Sequence, residues 1–115
     1  MPRQPIKTST ATTLTERQRS MLRRMLEEQQ GFRIEQITHQ HAVVGATATD
    51  AERDVESAIL DAAQVALRDI QTALGRITAG TYGSCTQCGA ALPLERLEVL
   101  PQVGLCMRCQ RDHTA

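Results

Sequence analysis

The sequence predicts a mainly α-helical protein, an antiparallel helical hairpin of coiled-coil type followed by a small four-cysteine (C4) finger. Three observations carry that expectation. Apolar residues recur at helical spacing along two stretches of similar length, a short connection separates the stretches, and all four cysteines follow the second one in two C-x-x-C pairs. At 115 residues the chain has room for one modest domain or two very small ones. The expected organisation is residues 1–13 as a tail, 14–79 as the hairpin and 80–115 as the finger.

Residues 1–13, MPRQPIKTSTATT, combine two prolines with Ser and Thr and show no apolar period. Such a stretch buries too little to offset the entropy of ordering, so a disordered tail is expected. Thr15 followed three residues on by Gln18 is a capping-box start, with Glu16 placed where the helix dipole favours an acid. Leu14, Met21, Leu22, Met25 and Leu26, then Phe32, Ile34 and Ile37, supply the apolar positions of a first helix over Thr15–Thr38. Gly31 costs about 1 kcal/mol against Ala there, so the helix either continues through it or breaks and resumes. His39–Thr49 has no helical start signal of its own in this reading, and is expected to form the turn.

A second helix is expected over Asp50–Ile77, from Val55, Ile59, Ala62, Ala66, Ile70, Ala73 and Ile77, with Ala63, Leu67 and Leu74 widening the stripe. Ala79-Gly80 is a helix C-cap signal. Two such helices can bury their stripes only against each other or against a partner, and the Ala-rich seam lets the backbones approach closely. The hairpin as a monomer, or as a homodimeric four-helix bundle, satisfies that requirement.

Thirteen basic residues balance thirteen acidic ones, so there is no net positive field to drive non-specific binding to phosphate backbones. Phe32 and Tyr82 are the only aromatic residues, which leaves almost nothing for base stacking. No apolar run approaches the roughly 18 residues of a membrane span, and the first residues do not resemble a signal peptide. A cytoplasmic protein with no membrane partner is expected.

In a reducing compartment regularly spaced cysteines point to metal rather than to disulfides. Cys85 and Cys88, then 17 residues, then Cys106 and Cys109 fit the spacing of a two-knuckle zinc site. A two-residue gap lets both thiolates of a knuckle reach one ion, and two knuckles close a tetrahedral S4 shell with no position left for substrate. One structural zinc is expected; iron fits the same shell but is redox-active and less available, and His113 is a spare ligand that four cysteines make unnecessary. No βαβ pattern surrounds either pair as a thiol-disulfide catalyst would require. No nucleophile–base grouping or phosphate-cradling glycine loop is found, so no enzyme is expected. His39 and His41 read as solvated loop residues.

Tyr82-Gly83-Ser84-Cys85-Thr86-Gln87-Cys88-Gly89, then Arg96-Leu97 and Pro101, then Leu105-Cys106-Met107-Arg108-Cys109-Gln110, resemble the C4 zinc finger of DksA/TraR proteins. The resemblance covers Tyr82 to Gln110. It implies a bacterial transcription regulator that binds RNA polymerase, its coiled coil entering the secondary channel while the finger braces the hairpin base, with no sequence-specific DNA binding. The best-known members carry D-x-x-D-x-A at the tip. Here the nearest residues are Asp50 and Asp54, with Thr47 where the first Asp of a pair with Asp50 would stand and Glu52 where the Ala would. Asp50 and Asp54 are thus the candidate partner-binding residues, set against a simpler role for the acids as favourable charges at a helix N-terminus. Long members carry several basic residues near the finger for the alarmone ppGpp; here Arg68 and Arg76 stand on that part of the second helix. Arg96, Arg108 and Arg111 give the finger a modest basic character that suits phosphate or an acidic protein surface, and equally an ordinary solvated face, the reading preferred here. Two other classes stay open: a zinc-ribbon module binding nucleic acid directly, and a structural or dimerising protein without polymerase activity.

Overall fold

A computed structural model describes residues 14–43 and 48–114. The expected tail 1–13, and Thr47 with the middle of the turn, lie outside the described residues, as do the side chains of His41 and His113. Among the described residues four helices follow in order: α1 (Glu16–Val43), α2 (Asp50–Ala79), α3 (Leu94–Val99) and α4 (Met107–Thr114). α1 and α2 form the hairpin, and α3 and α4 belong to the finger at its base. The molecule is elongated, 66 × 34 × 21 Å.

α1 begins as its sequence dictates. The Thr15 amide donates to Gln18 Oε1 (2.9 Å) and the Gln18 amide donates to Thr15 Oγ1 (3.0 Å), satisfying two of the donors a helix start leaves free. The helix continues through Gly31, where a side chain would meet nothing within 4 Å. It also runs past Thr38 to Val43, so the expected turn over His39–Thr49 is shorter than the sequence reading made it, and exposed His39 is a helical residue. Between Thr38 and Val43 no proline or glycine interrupts the chain.

α2 has a start signal that the sequence reading missed. Thr49 is the N-cap of a capping box: the Thr49 amide donates to Glu52 Oε1 (2.8 Å) and the Glu52 amide to Thr49 Oγ1 (3.1 Å). α2 runs two residues past Ile77 to the expected C-cap at Gly80, whose left-handed φ of 81° suits a residue without a Cβ.

One core joins the base of the hairpin to the finger. Leu22 and Leu26 of α1 and Ile70, Ala73 and Ile77 of α2 are buried together with Tyr82, Cys85, Leu92, Leu97 and Cys109. Further along α1 no described residue is buried, and on α2 Ala63 is the first buried residue met from the far end. The far seam of α1 is half-buried and mostly polar, with Gln29, Arg33, Gln36, Ile37 and Gln40. Phe32 and Ile34, expected in the apolar stripe, are 62% and 47% exposed. At 100° per residue they fall roughly a quarter turn or more to either side of the line through Leu26, Arg33 and Ile37. On α2, Val55 and Ala62 are likewise exposed, and Ile59 and Ala66 only half-buried.

Candidate metal centre

The finger is held to α2 by its last turn. Arg76 carries the junction: its Nη2 donates to the carbonyl of Thr81 (2.7 Å), the carbonyl of Ser84 (2.8 Å) and Ser84 Oγ (3.1 Å). The Thr81 amide donates back to the Arg76 carbonyl (2.9 Å). Nη2 carries two hydrogens for these three acceptors, so the two Ser84 oxygens or the two carbonyls share one of them. On the other side of the core the Tyr82 hydroxyl donates to the carbonyl of Pro101 (2.8 Å), pinning the loop between the two cysteine pairs. Burial pushes the Tyr82 phenol up to about 12 against a smaller opposing pull from Arg76. Neither role had a signal in the sequence beyond the residues' presence.

The first knuckle is a tight antiparallel loop closed by a bridge between Ser84 and Ala91. The Cys85 amide donates to the carbonyl of Ala90 (2.8 Å), and the Gly89 amide donates to the carbonyl of Cys85 (2.9 Å). Gly89 sits at φ 80°, a conformation that a Cβ would strain, and this turns the chain back after Cys88. The second knuckle places Cys106 just before α4 and Cys109 in its first turn, with the Gln110 amide on the Cys106 carbonyl (2.8 Å). A bond from the Thr86 amide to the carbonyl of Gly104 (2.8 Å) locks one knuckle to the other.

The result brings all four predicted cysteines together, their sulfurs within 4.8 Å of one another. A tetrahedral zinc with bonds of about 2.3 Å needs sulfur–sulfur edges of about 3.8 Å. The Cys88–Cys106 pair is at 3.8 Å. Backbone amides also point at the sulfurs, Gln87 to Cys85 Sγ and Cys109 to Cys106 Sγ, each at 3.4 Å. Such donors favour thiolates. Burial works against the Cys85 thiolate, yet the amides of Cys106, Cys88 and Gln87 draw its pKa down to about 6. The Cys109 amide lowers Cys106 as well. Cys109 is pushed up to about 12, by burial first and then by the sulfurs of Cys106, Cys85 and Cys88. Four sulfurs this close cannot all ionise without a cation between them. The donor set, four sulfurs with no carboxylate or imidazole among them, suits zinc.

Asp50 and Asp54 are not part of this centre. Both are exposed in the first turns of α2, the far end of the hairpin, and Asp50 Oδ1 lies 3.7 Å from Arg53 Nη1. Glu52, in contrast, is engaged in the N-cap. Of the two basic residues noted near the finger, Arg68 is exposed and Arg76 is committed to the junction. Among the described residues no helix is long and apolar enough to cross a membrane.

Residues 80–115 match the model of the prokaryotic DksA/TraR C4-type zinc finger. Over 46 residues, 40% of this chain, it is 41% identical to an uncharacterized protein of Aquifex aeolicus, of which the match covers 32%. It is 37% identical over 46 residues to general stress protein 16O of Bacillus subtilis, covering 28% of that protein. The aligned part thus spans about a third or less of these relatives. Among solved structures, transcription factor DksA2 from Pseudomonas aeruginosa superposes with a TM-score of 0.73 at 22% identity, over 96% of this chain and 91% of that one. An RNA polymerase binding protein and transcriptional regulator from Chlamydia trachomatis gives 0.57 at 24% identity, over 89% and 93%. At these identities the likeness is one of fold, and it extends through the hairpin as well as the finger.

Proposed function

Residues 80–115 carry the DksA/TraR C4-type zinc finger, and we propose that the chain as a whole is a member of that family, a noncatalytic cytoplasmic transcription regulator that contacts RNA polymerase. The observation that carries the reading is the long hairpin mounted on a finger by a common core. Such a body can carry a tip into a narrow passage while its base stays rigid. In this reading Cys85, Cys88, Cys106 and Cys109 bind a single zinc ion whose role is structural, and the chain makes no sequence-specific contact with DNA. The hairpin enters the polymerase secondary channel and presents Asp50 and Asp54 there. Both carboxylates are exposed, Asp50 within 3.7 Å of Arg53, and neither is needed for the cap that Thr49 and Glu52 give α2, which supports that assignment. Phe32, Ile34, Val55 and Val65, all exposed, favour a second reading in which the hairpins of two chains pair.

The test is binding of the zinc-loaded chain to purified bacterial core RNA polymerase, with an Asp50→Asn/Asp54→Asn variant beside it in a transcription assay. Saturable binding with a transcriptional effect that the variant loses is the expected result. Binding without that loss removes the tip assignment. No binding at micromolar concentration, with a dimer in sedimentation, favours paired hairpins.

A further inference from the structure

The finger carries an apolar groove that the metal site does not use. It has a volume of about 360 Å³, lies between α3 and the start of α4, and is lined by Pro93, Glu95, Arg96, Val99, Leu100 and Met107. Three of the exposed large apolar residues of the chain meet there: Val99 at 76%, Met107 at 58% and Leu100 at 41% exposure. Isolated exposed apolar side chains need no explanation, but three converging on one concave site mark a contact surface.

The floor of the groove is a poorly satisfied cation. Arg96 donates from Nη1 to the thioether sulfur of Met107 (2.9 Å) and from Nη2 to the carbonyl of Leu105 at a long 3.4 Å. Its Nε is buried and has no partner. Among the described residues no carboxylate forms an ion pair with it, although Glu95 stands on the same rim. A thioether is a weak acceptor, so this guanidinium gives up hydration without gaining a charged partner. Met107 is flexible and more than half exposed, so it can swing aside at little cost.

The geometry points to a docking site for an acidic–apolar segment of a partner protein: an aliphatic side chain seated on Val99, Leu100 and Pro93, with an adjacent carboxylate displacing the Met107 sulfur from Arg96. A carboxylate accepts two parallel N–H bonds from a guanidinium, which a sulfur cannot. Charge complementarity selects this occupant, because an uncharged apolar segment would leave the guanidinium with no partner better than a thioether and one long carbonyl contact. The inference does not depend on polymerase being the partner.

N-acetyl-L-leucine carries both features in one small probe, and N-acetyl-L-leucinamide lacks the carboxylate. Titrated into the isotopically labelled, zinc-loaded full chain, the acid is expected to shift the Arg96 guanidinium Nη–H and the methyl resonances of Val99, Leu100 and Met107. The amide should bind about tenfold more weakly, the equivalent of one charge-assisted hydrogen bond. Arg96→Gln should bring acid and amide to the same affinity, and Val99→Asp, a change at an exposed site that the fold tolerates, should weaken both. Equal binding of acid and amide to the unmodified chain overturns the proposal. So do shifts confined to residues outside the groove, or self-association that Val99→Asp abolishes, which would make the groove a contact between copies. If Arg96→Gln fails to retain zinc, the acid–amide comparison and Val99→Asp still decide.

Discussion

At the base of the hairpin, Leu22 and Leu26 face Ile70, Ala73 and Ile77, and the finger closes over them with Tyr82, Leu92 and Leu97. A few turns further out on α1, Gln29, Arg33, Gln36 and Gln40 occupy the seam, and none of them is fully buried. The same two helices therefore have a dry, three-sided core at one end and a wet, two-sided contact at the other. Apolar burial contributes about 25 cal/mol per Å², so stability is concentrated where the finger sits. The far end is held mainly by being continuous with the base. A region of this kind opens at low free energy and can adjust its shape against a partner.

The largest effect follows from the shared core. Structural zinc contributes on the order of 10 kcal/mol to such fingers. Its removal by a chelator, or Cys88→Ser, is expected to unfold the finger and with it uncover Leu22, Leu26, Ile70 and Ile77. The far half has no core with which to stand alone, so far-UV circular dichroism should show loss of most helicity, including α1 and α2. Retention of a fully helical hairpin after verified zinc loss would show that the base does not need its third side.

The second contrast is between two leucine-sized positions on α1. Leu26→Ala empties a fully buried site and is expected to cost about 2–5 kcal/mol. Ile37→Ala, in the half-buried far seam, should cost well under half of that. Chemical denaturation compares the two, and native-state hydrogen exchange locates them: Ile37→Ala should speed exchange in the far half only. Equal costs would mean that the far seam is as tightly packed as the base.

The sequence made the base readable and the far end less so, for a physical reason. Leu22, Leu26, Ile70, Ala73 and Ile77 keep strict helical spacing because a closed core demands it, and four cysteines at knuckle spacing leave few geometries. Phe32, Ile34 and Val55 look like members of the same stripe, yet a seam filled by glutamines does not force apolar residues inward. The helix was expected to end at Thr38, yet residues 39–43 hold no proline or glycine to stop it and α1 runs on to Val43. The capping box at Thr49 and Glu52 was legible in the sequence as T-x-x-E. Arg76 and Tyr82 were not legible as junction residues, since their partners are backbone carbonyls whose positions only the fold defines.

Tyr82 supplies the next test, on the finger side of the base. Its phenol titrates near 10 when unfolded and at about 12 in the fold, so the folded state holds a proton that the unfolded state releases. The contribution is fully present below pH 10 and is lost as pH rises through 12. Tyr82→Phe leaves the Pro101 carbonyl without its donor and should cost about 1–3 kcal/mol at neutral pH. In return it should flatten the decline of Tm between pH 10 and 12. A variant that keeps the full alkaline decline would assign it to other groups, such as the zinc thiolates.

The smallest effects sharpen the comparison most directly, because they use the same substitution at both ends. Gly31, in the far half of α1, and Gly75, near the base on α2, are both exposed helical positions where a Cβ would meet nothing within 4 Å. Each to Ala should stabilise its own helix by about 0.5–1 kcal/mol, mainly by restricting the unfolded chain. If the base sets global unfolding, Gly75→Ala raises the main transition, whereas Gly31→Ala slows hydrogen exchange in the far half and leaves exchange at Leu22 and Ile70 unchanged. Should both variants raise protection everywhere by the same amount, the two ends unfold as one cooperative unit, and the wet seam of glutamines is as integral to the fold as the core beneath the finger.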